Sequence, residues 1–421
     1  MAGYYSNRYA GGVHDDLHAK ALVLDDGRAR VALVSCDLIG LPREVVEEAR
    51  RLIGAGSGIP ASHVMIGATH AHTGPVIHAG PSRYNLPAEP LELARRYAQE
   101  LPALIAGAVA RANASLKPAA VSAGRGTENT LAFNRRFHMA DGTVGWNPGK
   151  LNPKIVRPAG PIDPEVGMAL VESAGDEALA AYVNYALHLD TVGGLEISAD
   201  YPYTLSRLLG EAKGRGLITL FTAGCAGNVN HIDVSTKDPQ RGHGEAERIG
   251  ARLAGEVIRT WPSLNRVQGR IGARARTVLL PRPRVRPAEV ETAHAAAATF
   301  GQPGAAPFLE LVNAFKVIEV AAAAGKPLEA EVQVIALGKD LAWVALPGEI
   351  FVELGLEIKR RSPFRQTIVV SLTNGSPGYV PDRKAYAEGA YEVISARVAE
   401  GAGELLVEAA VRLLGEVYSG G

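Results

Sequence analysis

A chain of 421 residues with 47% hydrophobic content can bury a large core, and its length admits two or three domains or one elaborated one. Lys+Arg and Asp+Glu are equal at 44 each, which excludes a global field drawing the chain to nucleic acid or an anionic membrane. The two cysteines, Cys36 and Cys225, exclude a disulfide framework, and no stretch approaches the roughly 18 uncharged apolar residues of a membrane span.

From the N-terminus, Met1 to Arg8 lacks the apolar core of a secretory leader, which points to the cytoplasm. Two apolar runs, Ala19 to Leu24 and Val31 to Asp37, are joined by Asp-Gly and read as a β-hairpin. Asp37 at its end reads as a turn or helix cap before Gly40 and Pro42, with a reach into a cleft as the other option. A helix is predicted over Pro42–Ile53, then a strand over His63–Ile66; strand–helix–strand is the α/β signature. That strand runs into Thr69-His70-Ala71-His72-Thr73-Gly74-Pro75. If extended geometry persists, positions i and i+2 share a face, and two imidazoles on one face suit a borderline-soft cation such as zinc. Two surface histidines in a loop have the same spacing, so spacing alone leaves both readings open.

A loop with Pro75, Gly80, Pro81 and Pro87 precedes a helix predicted over Pro90–Ala114. A strand begins at Val121, and Asn134-Arg135-Arg136 follows in a Gly/Pro/Asn-rich loop, where by position alone it reads as surface charge. Strands over Met168–Glu172 and Leu179–Ala186 lead to His188, again an apolar run ending in a histidine before a glycine-rich turn. Asp200 caps a helix running to Lys213. A strand over Leu217–Thr222 ends in Gly224-Cys225-Ala226-Gly227-Asn228-Val229-Asn230-His231, which matches no phosphate-cradling pattern. Cys225 among small residues reads as buried and inert.

Further on, a helix over Gly244–Trp261 and a strand at Val278–Leu280 precede Arg282-Pro283-Arg284-Val285-Arg286, which reads as a solvated linker. Residues 288–324 look helical with a break at 301–304, and Val332–Leu337 with Leu341–Leu346 form a hairpin that leads to Glu349. Thr367–Leu372 is a strand leading to Tyr379, and Gly403–Val417 is a final helix. His70/His72, His188, Glu349 and Tyr379 thus all follow strands. Ligands from one rim of an α/β sheet converge on one crevice, and two or three His with a carboxylate is a common catalytic zinc set.

At this point Thr69-His70-Ala71-His72-Thr73-Gly74-Pro75 is similar to the Thr-His-x-His-[Ser/Thr]-Gly-Pro motif of the neutral/alkaline ceramidase family. Asn134-Arg135, Ala186-Leu187-His188, Gly227-Asn228-Val229, Pro347-Gly348-Glu349, and Tyr379 with Tyr391-Glu392 fall in that family's order. The resemblance runs from Val13 to Tyr391 and implies a zinc-dependent amidohydrolase. It places zinc on His70, His188, Glu349 and Tyr379, makes His72 the neighbouring acid/base, and assigns Arg135 and Tyr391 to the substrate. Two departures stand out. Asn230 replaces the family's active-site serine, with His231 after it, and the amide of Asn230 can donate to an oxyanion but not act as nucleophile. The chain also ends without the C-terminal immunoglobulin-like domain of full ceramidases.

The expectation is therefore an α/β fold, a mixed β-sheet core flanked by helices, with the crevice at strand ends. One catalytic domain is expected over 1–421, with 281–330 a mainly helical insertion. The expected function is zinc-dependent hydrolysis of a small-molecule N-acyl amide or ester more soluble than ceramide, without nucleic acid or stable membrane insertion. A true ceramidase and a non-catalytic zinc-containing relative are the alternatives.

Overall fold

The computed structural model describes residues 1–77 and 87–420; the loop prediction at Gly80 and Pro81 lies outside the described residues. The hairpin forms as its sequence demands: β1 (Ala19–Asp25) and β2 (Arg30–Cys36) pair antiparallel. The Asp26 carboxylate accepts from the Arg28 and Ala29 N–H groups and so closes the turn. Next, α1 (Arg43–Ser57) ends where Gly58 takes a φ of 73°, and β3 (Val64–Ala68) lies parallel to β2. The outer face of this sheet is covered by α1 and by α2 (Ala88–Ala114) through Val45, Ile53, Leu101 and Ile105.

A second sheet follows. It contains β4 (Ala119–Thr127), β5 (Glu165–Ser173), β6 (Ala178–Tyr185), β7 (Ile218–Ala223) and β8 (Asn265–Val267), in the order β7-β6-β5-β4-β8. Only β6 and β7 run parallel, joined by the crossover helix α3 (Tyr201–Lys213), which packs with α4 (His243–Thr260) on the outer face. The third sheet has the order β9 (Ile271–Leu280), β10 (Leu328–Leu337), β11 (Leu341–Ala345), β12 (Gln366–Val370), with β11 and β12 parallel.

The second and third sheets stack face to face. Trp343 of β11 stands at the centre of this layer, fully buried beside Tyr182 of β6, with ring centroids 5.8 Å apart. Helices α7 (Val352–Arg361) and α8 (Ala402–Gly420) cover the third sheet from outside. The layering is helix, sheet, sheet, helix, so the α/β expectation holds.

Some local readings needed correction. Helix α7 has no counterpart among the expected elements: it is only ten residues long and begins just after the two-residue strand Glu349–Ile350. Residues 288–324 contain two helices, α5 (Pro287–Ala298) and α6 (Phe308–Ala322), separated by more than the expected break. The Gly/Pro/Asn-rich stretch after Asn134 is a small sheet of Arg136–Met139, Val144–Trp146 and Ile155–Pro158. Among the described residues, no helix is long and apolar enough to cross a membrane.

What this topology does for function is to gather ends. The parallel pairs β2/β3, β6/β7 and β11/β12 turn their C-terminal ends to one place. There the Ser371 N–H donates to Ala223 O (3.0 Å), Gly224 N–H to Tyr185 O (2.9 Å) and Ala68 N–H to Leu372 O (3.1 Å). Such a convergence is where α/β sheets bind ligands.

Candidate metal centre

Strand β3 stops at Ala68, and His70 then adopts a φ of 80°, left-handed for a side chain that rarely tolerates it. Extended geometry therefore does not persist through the motif. The two histidines are placed by a turn instead, with His70 N–H bonded to Leu38 O and His72 N–H to Leu189 O. They still come together, with rings edge to face at 4.7 Å.

His188, three residues beyond β6, brings its Nε2 to 3.1 Å from Nε2 of His70. Glu349 lies in a two-residue parallel bridge whose partner in register is Tyr379. Its Oε2 is 3.3 Å from His70 Nε2 and 3.4 Å from His188 Nε2, and among the described residues it has no hydrogen-bond partner of its own. His70 Nδ1 sits 2.7 Å from Ile39 O, and His188 Nδ1 2.9 Å from Ala226 O. A ring nitrogen against a carbonyl must carry the proton, so both Nε2 atoms present lone pairs inward. Three acceptors then face one another within 3.4 Å in a buried place. A cation between them resolves that conflict, and two imidazoles with a carboxylate are a zinc donor set. The residues present fit a divalent metal.

The same groups are strongly coupled electrostatically. Glu349 is held well below the usual carboxylate range: burial opposes ionisation, but His70 and His188 outweigh it. Burial pushes the His188 imidazole down, with Arg135 and His70 adding to the effect. For His70 burial acts downward too, yet Glu349 turns the net shift upward. His72 is depressed well below its ordinary value, first by burial and then by His70. His72 is close enough to be an alternative ligand, since one nitrogen each from His70, His72 and His188 lie within 4.8 Å of one another. Among the described residues neither of its nitrogens has a hydrogen-bond partner, however, so no carbonyl there orients it as the other two are oriented.

Tyr379 packs against this group, and its hydroxyl accepts from Arg135 Nη2 at 3.0 Å. Arg135 and Arg136, which position alone suggests are surface charge, are both buried and share Glu392. Arg135 Nε donates to Glu392 Oε1 (2.8 Å) and Arg136 Nη1 to Oε2 (2.9 Å). Arg135 Nη2 also reaches Gly227 O at 2.7 Å, leaving Nη1 without a partner among the described residues. Tyr391 stands beside Tyr379, ring centroids 5.5 Å apart, in an aromatic group with Trp146 and Phe308.

The remaining expected residues are placed otherwise. The amide of Asn230 is engaged at both ends, donating to Asn147 Oδ1 (3.1 Å) and accepting from Ile232 N–H (3.1 Å). Next to it, His231 Nδ1 lies 3.3 Å from Asp190 Oδ1. Sequence reasoning missed the Asp190–His231 pair and the part played by Glu392; an acid two residues past His188, and one adjoining Tyr391, were the available signals. Asp37 is a local anchor that accepts from His18 N–H at 3.0 Å. Cys225 is buried, and burial pushes its thiol up to about 12.

Close backbone approach finishes the centre. A Cβ added to Gly227 would lie 2.5 Å from Glu349 O, so the loop that supplies Ala226 O to His188 touches the main chain of Glu349. The N-terminal segment passes over His72: a Cβ on Gly3 would come within 2.7 Å of it, and Arg8 donates to His72 O (2.6 Å) and Gly194 O (2.9 Å). Outward from His70, His72, Glu349 and Tyr379 opens a crevice of about 730 Å³. Its walls carry charge, including Arg43, Glu319, Glu329, Glu331 and Arg397.

An α/β protein with a buried imidazole–carboxylate centre at its strand ends is the class that fold and site define. Solved structures share the fold. The neutral ceramidase from Pseudomonas aeruginosa superposes with a TM-score of 0.74 at 21% identity, covering 99% of this chain and 72% of that one. A ceramidase complexed with C2 does so with a TM-score of 0.73 at 20% identity, over 99% and 72% of the two chains. No protein-family model and no curated protein matches the sequence. The chain has the neutral ceramidase fold.

Proposed function

We propose that the protein is a zinc-dependent hydrolase of linear amides whose natural substrate is more polar than ceramide. The observation that carries this reading is the meeting of His70 Nε2, His188 Nε2 and Glu349 Oε2 within 3.4 Å, all three as acceptors, at the head of an open crevice. These residues would hold the ion with Tyr379 as a further ligand, the carbonyls of Ile39 and Ala226 fixing the imidazoles. Bound zinc would polarise the scissile carbonyl and acidify the attacking water.

The chain's own groups then handle protons and charge. His72, kept neutral by burial, has both nitrogens uncommitted among the described residues and can take a proton from water and return it to the departing amine. Water oxygen adds to the carbonyl carbon, the C–N bond breaks, and the products are a carboxylate and an amine. Arg135 offers Nη1 and Tyr391 a hydroxyl that burial holds protonated, both suited to a developing oxyanion. Asn230, tied to Asn147, has no part in this scheme. The polar substrate follows from the crevice walls, whose guanidinium and carboxylate groups would be poorly matched to the two long hydrocarbon chains of ceramide.

Zinc content and turnover of N-acyl amides, esters and ceramide test the reading. The protein purified without chelator should hold about one zinc per chain. His70→Ala should lose zinc and activity together, whereas His72→Ala should keep zinc and lose about 10²–10⁴ in kcat. Equal loss of zinc in both variants would make His72 a ligand, and turnover surviving His70→Ala would sink the metal mechanism. Ceramide as the preferred substrate would favour the true-ceramidase reading.

A further inference from the structure

The basic run that reads as a linker does not all face water. Arg284 and Arg286 are exposed, but Arg282 is half-buried in the wall of the crevice. Its Nε donates to Lys326 O at 3.1 Å, which fixes the guanidinium plane and leaves the two Nη groups as a fork. Among the described residues, no carboxylate lies within ion-pair distance of it. The neighbouring wall charges are already compensated. Arg397 is paired with Glu319, Arg43 with Glu329 (2.6 Å) and Glu331 with Arg50 (2.9 Å). Glu44 is the exception; it is exposed in the first turn of α1, where the helix dipole favours an acid.

The position matters as much as the charge. Arg397 lies against the backbone of Gly378, where an added Cβ would be 2.9 Å from its Nη1, and Gly378 immediately precedes Tyr379. The path from the metal centre therefore runs from Tyr379 along Gly378 and Arg397 to Arg282 on one wall. Burial and the charge of Arg397 push the Arg282 guanidinium below its ordinary value, and Glu319, paired with Arg397, offsets them only in part. An incoming anion would relieve that unfavourable balance.

We propose that Arg282 forms an anion subsite of the crevice, taking a substrate carboxylate bonded bidentately by its Nη fork, so that the preferred ligands are N-acyl amides bearing a carboxylate separated from the amide by the span of Gly378 and Arg397. The choice of an amide rests on the hydrolase reading above; the preference for a negative charge does not. Charge-assisted, two-point bonding is the strong form of such recognition, and Arg supplies it where Lys cannot.

Calorimetric titration of the zinc-loaded protein with N-hexanoyl-8-aminooctanoic acid and with its uncharged primary amide tests this, with hydrolysis of each followed separately. The acid should bind about tenfold more tightly than the amide. Arg282→Gln should erase that preference, Arg282→Lys should restore only part of it, and Arg284→Gln, a change outside the crevice lining, should leave it intact. Thermal melting of each variant controls for folding. Equal affinities, no measurable binding of either ligand, or a preference that survives Arg282→Gln would overturn the subsite. Binding that shows the preference without hydrolysis supports the subsite and counts against the hydrolase reading. Hydrolysis without the preference does the reverse.

Discussion

Gly227→Ala tests the geometry of the centre with a single methyl group. The new Cβ would stand 2.5 Å from Glu349 O, with the Glu349 carbonyl carbon and Ile350 O both at 3.0 Å. An ordinary carbon–oxygen contact is about 3.4 Å, so the loop and the Glu349 segment must part by roughly 0.9 Å. Neither side can yield alone. The loop is tied down by Gly227 N–H to Ile350 O (2.8 Å) and by Arg135 Nη2 to Gly227 O (2.7 Å), and its Ala226 O orients His188. Overpacking of this kind costs about 1–3 kcal/mol in stability. Metal ligands tolerate displacements of only about 0.2 Å, and loss of a supporting outer contact costs about 10–100-fold in affinity. Zinc affinity, read by competition against a chromophoric chelator, should therefore fall at least tenfold, and urea unfolding of the metal-free protein should show the stability loss. A variant that melts early yet binds zinc like the parent would refute the claim that this contact positions Glu349.

Two other predictions concern the buried charges. Glu392→Gln leaves Arg135 and Arg136 without their shared carboxylate in a fully buried place, and breaking such a network costs on the order of 3 kcal/mol; a loss below about 1 kcal/mol in urea unfolding would contradict it. The Asp190–His231 pair predicts a pH window for the metal-free protein. Burial lowers the His231 imidazole, but its ion-pair contact with Asp190 raises it net, so its contribution is complete below about pH 6.5 and fades as pH rises through the raised value. Asp190, despite burial, is held well below its usual range by His231, so the pair also loses stability in strong acid. His231→Gln should therefore lower Tm most in the mildly acidic range and least at alkaline pH. A Tm difference that grows as pH rises would reverse the sign and exclude the pair as its source.

Much of the fold was legible because most core strands are short apolar runs with turn residues at their ends. Ala19–Asp25 and Arg30–Cys36, or Leu328–Leu337 and Leu341–Ala345, announce themselves in this way. The gathering of His70, His188, Glu349 and Tyr379 was suggested by their common station after strands and by a motif resemblance. What the linear chain conceals is pairing over distance. Arg135-Arg136 looks like solvated charge until Glu392, more than 250 positions away, is folded against it. The left-handed turn at His70 was equally hidden, since nothing in Thr-His-Ala-His signals that the strand has ended. Arg282 escaped for the opposite reason: its Pro-flanked, Arg-rich setting is what an exposed connector looks like.

The three inward-facing donor atoms belong to residues scattered along the chain, His70 and His188 being 118 positions apart and Glu349 lying further on still. No local segment can hold them in place before the sheets have docked. In an unfolded chain they are dilute and mutually indifferent, so an ion finds little to choose between this sequence and any other with eleven histidines. A metal bound at this centre would then enter late in biogenesis, as a seal on a finished structure rather than a seed for its folding. Supplying the ion during refolding should leave the early kinetic phases unchanged and slow only the escape from the native state.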